Sequence, residues 1–438
     1  MTTSRRTVLK YSAGAAALGL VGKRSFAQTV KPIRLGLLYD LSGPFAGAGS
    51  VPSAIGARTA IDLVNERGGV LGKYKVEAVK SDSQSKVDVA INEAERLIHN
   101  ENCDILVGVY SSAQAVPLAE KMNTEKKILW ITTAVATSVV KNKNLSYVFR
   151  ATIHSDQYGE AGVKFIAENA KAKLGMEPKD VKVAIIHEDG PYGTGVADAD
   201  VFFCKQEGIP VVLREAYAVT APDLSSLVTK LRRAKPDVVY HAGYNPDITL
   251  FLRQAREQGL RFKMLIGNGA GYSQIDKLRA TFNSDVEYFC DVDPVPAQLL
   301  DPKKLAPGLG DLIQIMVDRY KKETGEKDVP PHTSMGFNQT WILLDKVLPI
   351  AIEKFGGADP EAVRKAALEV DIPLGGTIQG YGVKFYPPGT PEAGQNERSL
   401  PVVMQYIPGQ PTSVAWPQQI QTHEPVLPLP KSSPYAMS

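Results

Sequence analysis

From Ile33 to Cys290, short β-rich apolar runs alternate with helical periods, and this alternation constrains the fold more than any other feature of the 438-residue chain. Residues 33–39 (IRLGLLY), 75–80, 104–109 (DILVGV) and 128–131 read as strands, with helices at 53–66 and 86–99. In the second helix Ala90, Ile91, Ala94, Leu97 and Ile98 fall on one face. A series of this kind builds a parallel sheet covered on both faces. After Arg150 a second series begins, with strands at 181–187, 211–216, 237–241, 263–266 and 286–290 and helices at 157–173, 192–207, 223–234 and 246–258. Helices at 308–323 and 335–355 have no strands between them, so they are expected to pack back on the first block. Beyond Tyr381 two short strands, 382–386 and 401–407, are expected. The Pro-rich stretch from Gln410 onward is expected to run extended over the surface or to be mobile.

Charge argues against polyanion partners. The 50 Lys and Arg against 47 Asp and Glu give +3, but residues 1–27 hold five bases and no acid, which leaves 45 against 47 beyond them. A near-neutral chain without a basic stripe has no electrostatic reason to bind nucleic acid or an anionic membrane. The first residues read as an address instead. SRRTVLK (4–10) precedes a weakly apolar run and a Ser25-Phe26-Ala27 cleavage site, the layout of a removable export signal. Arg5-Arg6 with Leu9 and Lys10 resembles the twin-arginine signal, so residues 1–27 are expected to be removed. Cys103, Cys204 and Cys290 lie far apart without a CxxC, and form neither a disulfide framework nor a zinc cluster. No cofactor or metal is implied.

In open α/β sheets, ligands sit at the carboxyl ends of strands, where helix N-termini offer unpaired N–H groups to anions. Tyr110-Ser111-Ser112 follows one strand and Thr132 to Thr137 follows another, so hydroxyls and amides meet there as a possible carboxylate cradle. The plainer alternative is that Ser111 or Ser112 caps the following helix and Thr137 a turn. The loop from Glu188 to Gly195 spaces its glycines as GxxGxG, matching neither nucleotide-binding pattern, and makes Tyr192 an apolar wall. Asp291 and Asp293 read as a turn or hinge. No GxSxG, no HExxH and six scattered histidines leave enzyme readings without a nucleophile and base.

Segments LSGPFAGAG (41–49), GARTAIDLVNERGGVLG (56–72), VGVYSSAQAVPLAE (107–120), DGPYGTG (189–195) and GYNPDITLFLRQAREQGL (243–260) together resemble a known family. It is the periplasmic leucine/isoleucine/valine-binding type of ABC-importer solute receptor, and the resemblance spans Ile33 to about Trp416. It implies an α/β fold of two doubly wound parallel-sheet lobes joined by three hinge crossings, near 150–152, 291–295 and 372–380. The lobes would comprise 28–150 plus 292–375, and 151–291 plus 376–416, with 417–438 as a tail. It further implies a non-enzymatic, monomeric periplasmic receptor that closes on a small carboxylate or amino acid and docks on an inner-membrane ABC permease. By this resemblance the ligand carboxylate falls to Ser111, with neighbouring Ser112, and to the turn Ala134, Val135, Ala136 and Thr137, with Tyr192 and Tyr244 as aromatic walls. Asn268 stands where the family's amino-acid binders place a Glu for the ligand ammonium, and Ala48 replaces an aromatic residue. A buried ammonium facing Asn268 would lack a counter-ion. The expected ligand is therefore a carboxylate without a required amino group, with Ala48 leaving room for a larger body. The alternative is that Asp189, Asp247 or another acid supplies the charge. A sensor feeding a membrane signalling protein is a second reading of the same receptor.

Overall fold

The computed structural model describes residues 31–410 and 412–437, so the export-signal reading of Arg5 and Arg6 lies outside the described residues. Its first half runs β1 (Ile33–Tyr39), α1 (Val51–Glu66), β2 (Val76–Asp82), α2 (Val87–Glu95), β3 (Ile105–Gly108), α3 (Ser112–Thr124), β4 (Ile128–Ile131) and β5 (Val148–Arg150). Next come α4 (Ser155–Asn169), β6 (Val183–Glu188), α5 (Pro191–Gln206), β7 (Val211–Tyr217), α6 (Ser225–Ala234), β8 (Val238–Ala242), α7 (Asn245–Glu257), β9 (Met264–Gly267), α8 (Ile275–Phe282) and β10 (Cys290–Asp293). The chain ends with α9 (Leu309–Thr324), α10 (Pro331–Ile342), α11 (Leu348–Phe355), α12 (Pro360–Glu369), β11 (Val402–Gln405) and β12 (Ser413–Trp416).

These strands make two sheets, one ordered β2-β1-β3-β4-β5 and the other β12-β11-β10-β9-β8-β6-β7. The first is wholly parallel, and the second is parallel except where β11 pairs antiparallel with β10 and β12. Runs such as ILVG in β3 and ILWI in β4 are buried at every position, as strands covered on both faces must be. The edge strand β7 instead alternates half-buried and exposed residues. The long helices near the C-terminus return to the first sheet, as their lack of intervening strands predicts. Met316, Phe337 and Val347 share a core with Leu35, Val107 and Trp130. Where α10 crosses α1, a Cβ on Gly56 would strike the Thr333 carbonyl and one on Gly336 the Ser53 carbonyl. The two backbones therefore touch.

Four expectations change. The helix expected over 335–355 breaks into α10, a wide turn at 343–347, and α11, because Pro349 in the second position of α11 has no N–H for the preceding turn. The strand expected at 286–290 forms at 290–293, so Asp291 and Asp293 lie within a buried strand, not a turn. Residues 382–386 make isolated bridges, Ile372 to Val383 and Phe385 to Asn396, in place of a strand. Ile378, Val383 and Phe385 join the first core, with Phe385 edge-on to Phe149. The C-terminal stretch is extended but anchored: Tyr435 is fully buried and stacks on Phe262 with ring centroids 5.5 Å apart.

Candidate functional site

The loops at the carboxyl ends of the two sheets face each other. At the end of β3, Gly108 (φ +136°) passes so close to the Leu38 carbonyl that no side chain fits, and the chain turns outward into Tyr110 and Ser111. Ser111 precedes the first turn of α3 without capping it, and its buried Oγ makes no hydrogen bond of ordinary length, the Tyr244 hydroxyl being its polar neighbour. Ser112 does tie the neighbouring turn, since its Oγ accepts from the Ala136 N–H at 3.0 Å. The Ala134 N–H donates to the Val109 carbonyl at 3.1 Å. Of the three amides at 134–136, only that of Val135 remains uncommitted among the described residues. Behind this turn the fully buried Arg150 donates from Nη1 to the carbonyls of Ala134 (3.0 Å) and Ala136 (2.8 Å), and from Nε to Gln395 Oε1. Thr137 lies apart: its hydroxyl donates to Asp156 at 3.0 Å, which turns it away from the cavity.

On the second lobe, Glu188 explains why the glycine loop cannot cradle a phosphate. Its carboxylate accepts the N–H groups of Gly190 (2.7 Å) and Gly193 (2.6 Å), filling the anion position at the start of α5. Tyr192 stands on that first turn and donates its hydroxyl to the Asn268 carbonyl at 2.5 Å. Tyr244 precedes α7, its N–H held at 2.9 Å by Asp247, whose other oxygen accepts from Tyr217. Burial pushes the Asp247 carboxyl up to about 7. Asp247 is thus committed to the wall behind Tyr244, and Asp189 is exposed on its loop.

A cavity of about 30 Å³ lies between these loops. The first lobe contributes Tyr110, Ser112, Thr133, Val135, His332 and Met335, and the second contributes Tyr158, Tyr192, Tyr244 and Ala270. Among the described residues no Asp, Glu, Lys or Arg lines it. Phe45 and Tyr244 approach to 4.5 Å between ring centroids, Tyr192 and Tyr244 to 5.3 Å, and Tyr110 and His332 to 5.5 Å. Three of the tyrosines turn their hydroxyls into the protein. Tyr110 donates to the Ala48 carbonyl at 2.7 Å, Tyr192 to Asn268, and Tyr158 to Asp293 Oδ1 at 2.5 Å. Burial raises all three phenols well above their usual range, so they stay neutral. What they present to the cavity is mainly ring surface. Ala48, expected to leave room for a larger ligand, is fully buried and does not line the cavity.

Of the residues singled out from sequence, Ser112, Val135, Tyr192 and Tyr244 come together on this cavity, and Ser111 and Ala134, each next in sequence to a lining residue, are buried. Asn268 is 1% exposed, two residues from Ala270, and neither Oδ1 nor Nδ2 finds a partner among the described residues. Phe45 and Tyr110 were legible beside motifs already noted, in SGPF and YSS. Tyr158 and His332 had no local signal, because α4 and α10 bring them in from distant sequence.

The loop bearing Asn268 rests on a buried carboxyl pair. Asp291 Oδ1 accepts the Gly269 N–H at 2.7 Å, and Ser273 Oγ lies 2.8 Å from Asp291 Oδ2 and 2.5 Å from Asp293 Oδ2. One hydroxyl hydrogen cannot serve two carboxylates, so one carboxyl carries a proton. Burial, then for Asp291 the neighbouring Asp293 charge, pushes both up, Asp293 to about 7. Cys103, Cys204 and Cys290 are free and buried. Among the described residues no group of three or more His, Cys, Asp or Glu could hold a metal ion.

Comparison with known proteins places this geometry. A family model described as periplasmic binding protein matches residues 32–397. The Leu/Ile/Val-binding protein homolog 7 of Brucella suis biovar 1 (strain 1330) is 34% identical over 382 residues, covering 87% of this chain and 91% of the relative. Among solved structures, a leucine binding protein from Thermotoga maritima MSB8 superposes with a TM-score of 0.71 at 21% identity, covering 87% of this chain and 97% of that one. A solute binding protein from R. palustris in complex with benzoate superposes with a TM-score of 0.68 at 17% identity, covering 87% and 95%. With two lobes of the type I architecture and a cavity between their facing loops, the chain belongs to the periplasmic binding protein family, in its branched-chain amino acid ABC transporter type.

Proposed function

We propose that this chain is an exported, non-enzymatic receptor that delivers a small carboxylic acid to an inner-membrane ABC permease, with an apolar body enclosed by aromatic rings. Its first lobe takes residues 28–150 and 292 to about 397, and its second takes 151–291 and the strands up to 416. Closure is a population shift: the ligand stabilises the form in which the lobes meet, and the permease reads that form.

One observation carries the ligand class. Neutral donors adjoin one side of the cavity, at Ser111 Oγ beside the lining Ser112 and at the Val135 amide, and among the described residues no acidic side chain lines it. A carboxylate finds donors there. An ammonium there faces neutral groups, with the neutral Asn268 amide nearby, and burying it without a counter-ion is costly. The relatives span both chemistries, since one solved neighbour is named for leucine and another holds benzoate. Twin-arginine export of residues 1–27 belongs to the same proposal.

The test is titration calorimetry of benzoate and leucine against the wild type and Ser111→Ala. Losing a hydrogen bond to a charged group costs about 1.5–3 kcal/mol, so benzoate affinity should fall by tenfold or more while the protein stays folded. Unchanged affinity in Ser111→Ala removes Ser111 from the site.

A further inference from the structure

His332 has a fixed role on the cavity that the sequence did not announce. It begins α10 on the first lobe and is 3% exposed. Its ring meets three neighbours. Gly49 packs against the Nδ1, Cε1 and Cγ edge so closely that a Cβ there would collide with it. Tyr110 covers one side at 5.5 Å between centroids. From the second lobe, Gln274 Nε2 comes within 3.2 Å of Nδ1.

The Gln274 amide is oriented by a third group. Lys277 Nζ lies 3.4 Å from Gln274 Oε1, and an ammonium only donates, so the oxygen of the amide faces Lys277 and the NH₂ faces His332. An NH₂ only donates in turn. His332 Nδ1 must therefore accept, and in the neutral ring the hydrogen sits on Nε2. Burial, then the Lys277 charge, lowers His332 to about 3, so the ring is neutral at ordinary pH. With Nδ1 committed and the Nδ1–Cε1 edge against Gly49, the Nε2 edge is the one left to line the cavity. Nε2 makes no hydrogen bond among the described residues.

We infer that His332 Nε2–H is a ligand-recognising donor, held in that tautomer by Gln274 reaching across from the other lobe. It selects ligands that place an acceptor oxygen against it, and the His332–Gln274 bond forms only when the lobes meet. Lys277 adds a second crossing by donating to the Gly47 carbonyl. The donor thus becomes correctly set as the receptor closes, which couples recognition to closure.

This inference rests on the carboxylate reading of the cavity, and the experiment separates the two. The wild type, Ser111→Ala, His332→Asn and His332→Gln are titrated with benzoate, 4-methylpentanoate and leucine. Nitrogen-15 spectra of histidine-labelled wild type report the His332 tautomer at neutral pH. Asn reproduces the Nδ1 position and loses the Nε2 donor, whereas Gln reaches the Nε2 position with its amide. The expected results are an Nε2–H tautomer, affinity about tenfold lower in His332→Asn, and affinity within about threefold of wild type in His332→Gln. An Nδ1–H ring or an imidazolium in the wild type overturns the inference. So does wild-type affinity in His332→Asn alongside weakened Ser111→Ala, which leaves the carboxylate reading intact. Weakened His332→Asn with unchanged Ser111→Ala upholds His332 and sinks the reading at Ser111.

Discussion

The Tyr192 hydroxyl donates to the Asn268 carbonyl at 2.5 Å, tying the first turn of α5 to the loop that follows β9. A carbonyl only accepts, so the phenol hydrogen is fixed and the ring is held as a wall of the cavity. Tyr192→Phe keeps the ring and removes the tie, leaving the Asn268 carbonyl without that partner. The expected cost is about 1 kcal/mol of stability, read from denaturant unfolding, with ligand affinity reduced less than tenfold. Tyr192→Ala should weaken binding further by removing the wall itself. Equal affinity in the Phe and Ala variants contradicts the role of the ring.

Arg150 is buried without a carboxylate among its hydrogen-bond partners and is held by three neutral oxygens. Arg150→Met preserves much of the volume, leaves the Ala134 carbonyl and Gln395 Oε1 without their donor, and leaves the Ala136 carbonyl with the Val139 N–H alone. The cost of such buried groups, about 1–3 kcal/mol each before relaxation, should lower stability by several kcal/mol and loosen the turn that presents the Val135 amide. Thermal unfolding and ligand titration should both register the change. A variant as stable as the wild type shows that the turn does not depend on Arg150.

The Asp291 and Asp293 pair makes stability fall as pH rises. Asp293 is raised from an unfolded value near 3.9 to about 7. The folded form therefore binds the proton more tightly than the unfolded form does. The resulting stabilisation is complete below the unfolded value and is lost as pH climbs through 7. Asp247, also raised to about 7, acts in the same direction. Denaturant unfolding between pH 5 and pH 8 should show the wild type losing stability toward pH 8. Asp293→Asn, neutral throughout, should lose less. Parallel pH profiles for the two proteins contradict a shared proton.

At the crossing of α1 and α10, Gly336 leaves no room for a side chain. Gly336→Ala must push the helices apart, and overpacking of this kind costs about 1–3 kcal/mol. Because α10 also carries His332 and Met335, the same variant should weaken binding. Unchanged melting temperature would falsify the close contact.

Much of this architecture is legible in the sequence because fully buried parallel strands leave uninterrupted apolar runs, as in DILVGV and VKVAIIH. β5 is hidden by its brevity, three residues, and β12 by the Pro-rich stretch in which it lies. The placement of 376–397 was hidden because isolated bridges leave no periodic trace. At the site, hydroxyl-bearing junctions and wall aromatics stand out locally, and Ser112, Val135, Tyr192 and Tyr244 do line the cavity. Thr137 misled because a turn threonine looks the same whether it faces a ligand or Asp156. Asp291 and Asp293 misled in the opposite way, since two acids in a strand look unfavourable until one proton and Ser273 join them.

In the proposed receptor the cavity accepts a carboxylate without requiring an ammonium. Thermal shift of the purified protein with leucine, with its des-amino analogue 4-methylpentanoate, and with benzoate tests it most directly. A ligand at a hundredfold excess over its Kd stabilises the folded form by about 2.7 kcal/mol, a clear rise in melting temperature. The expected result is stabilisation by one or both acids that lack an amino group, with leucine no better than its des-amino analogue. Stabilisation by leucine alone contradicts the account and means that an acid outside the cavity lining serves the ammonium.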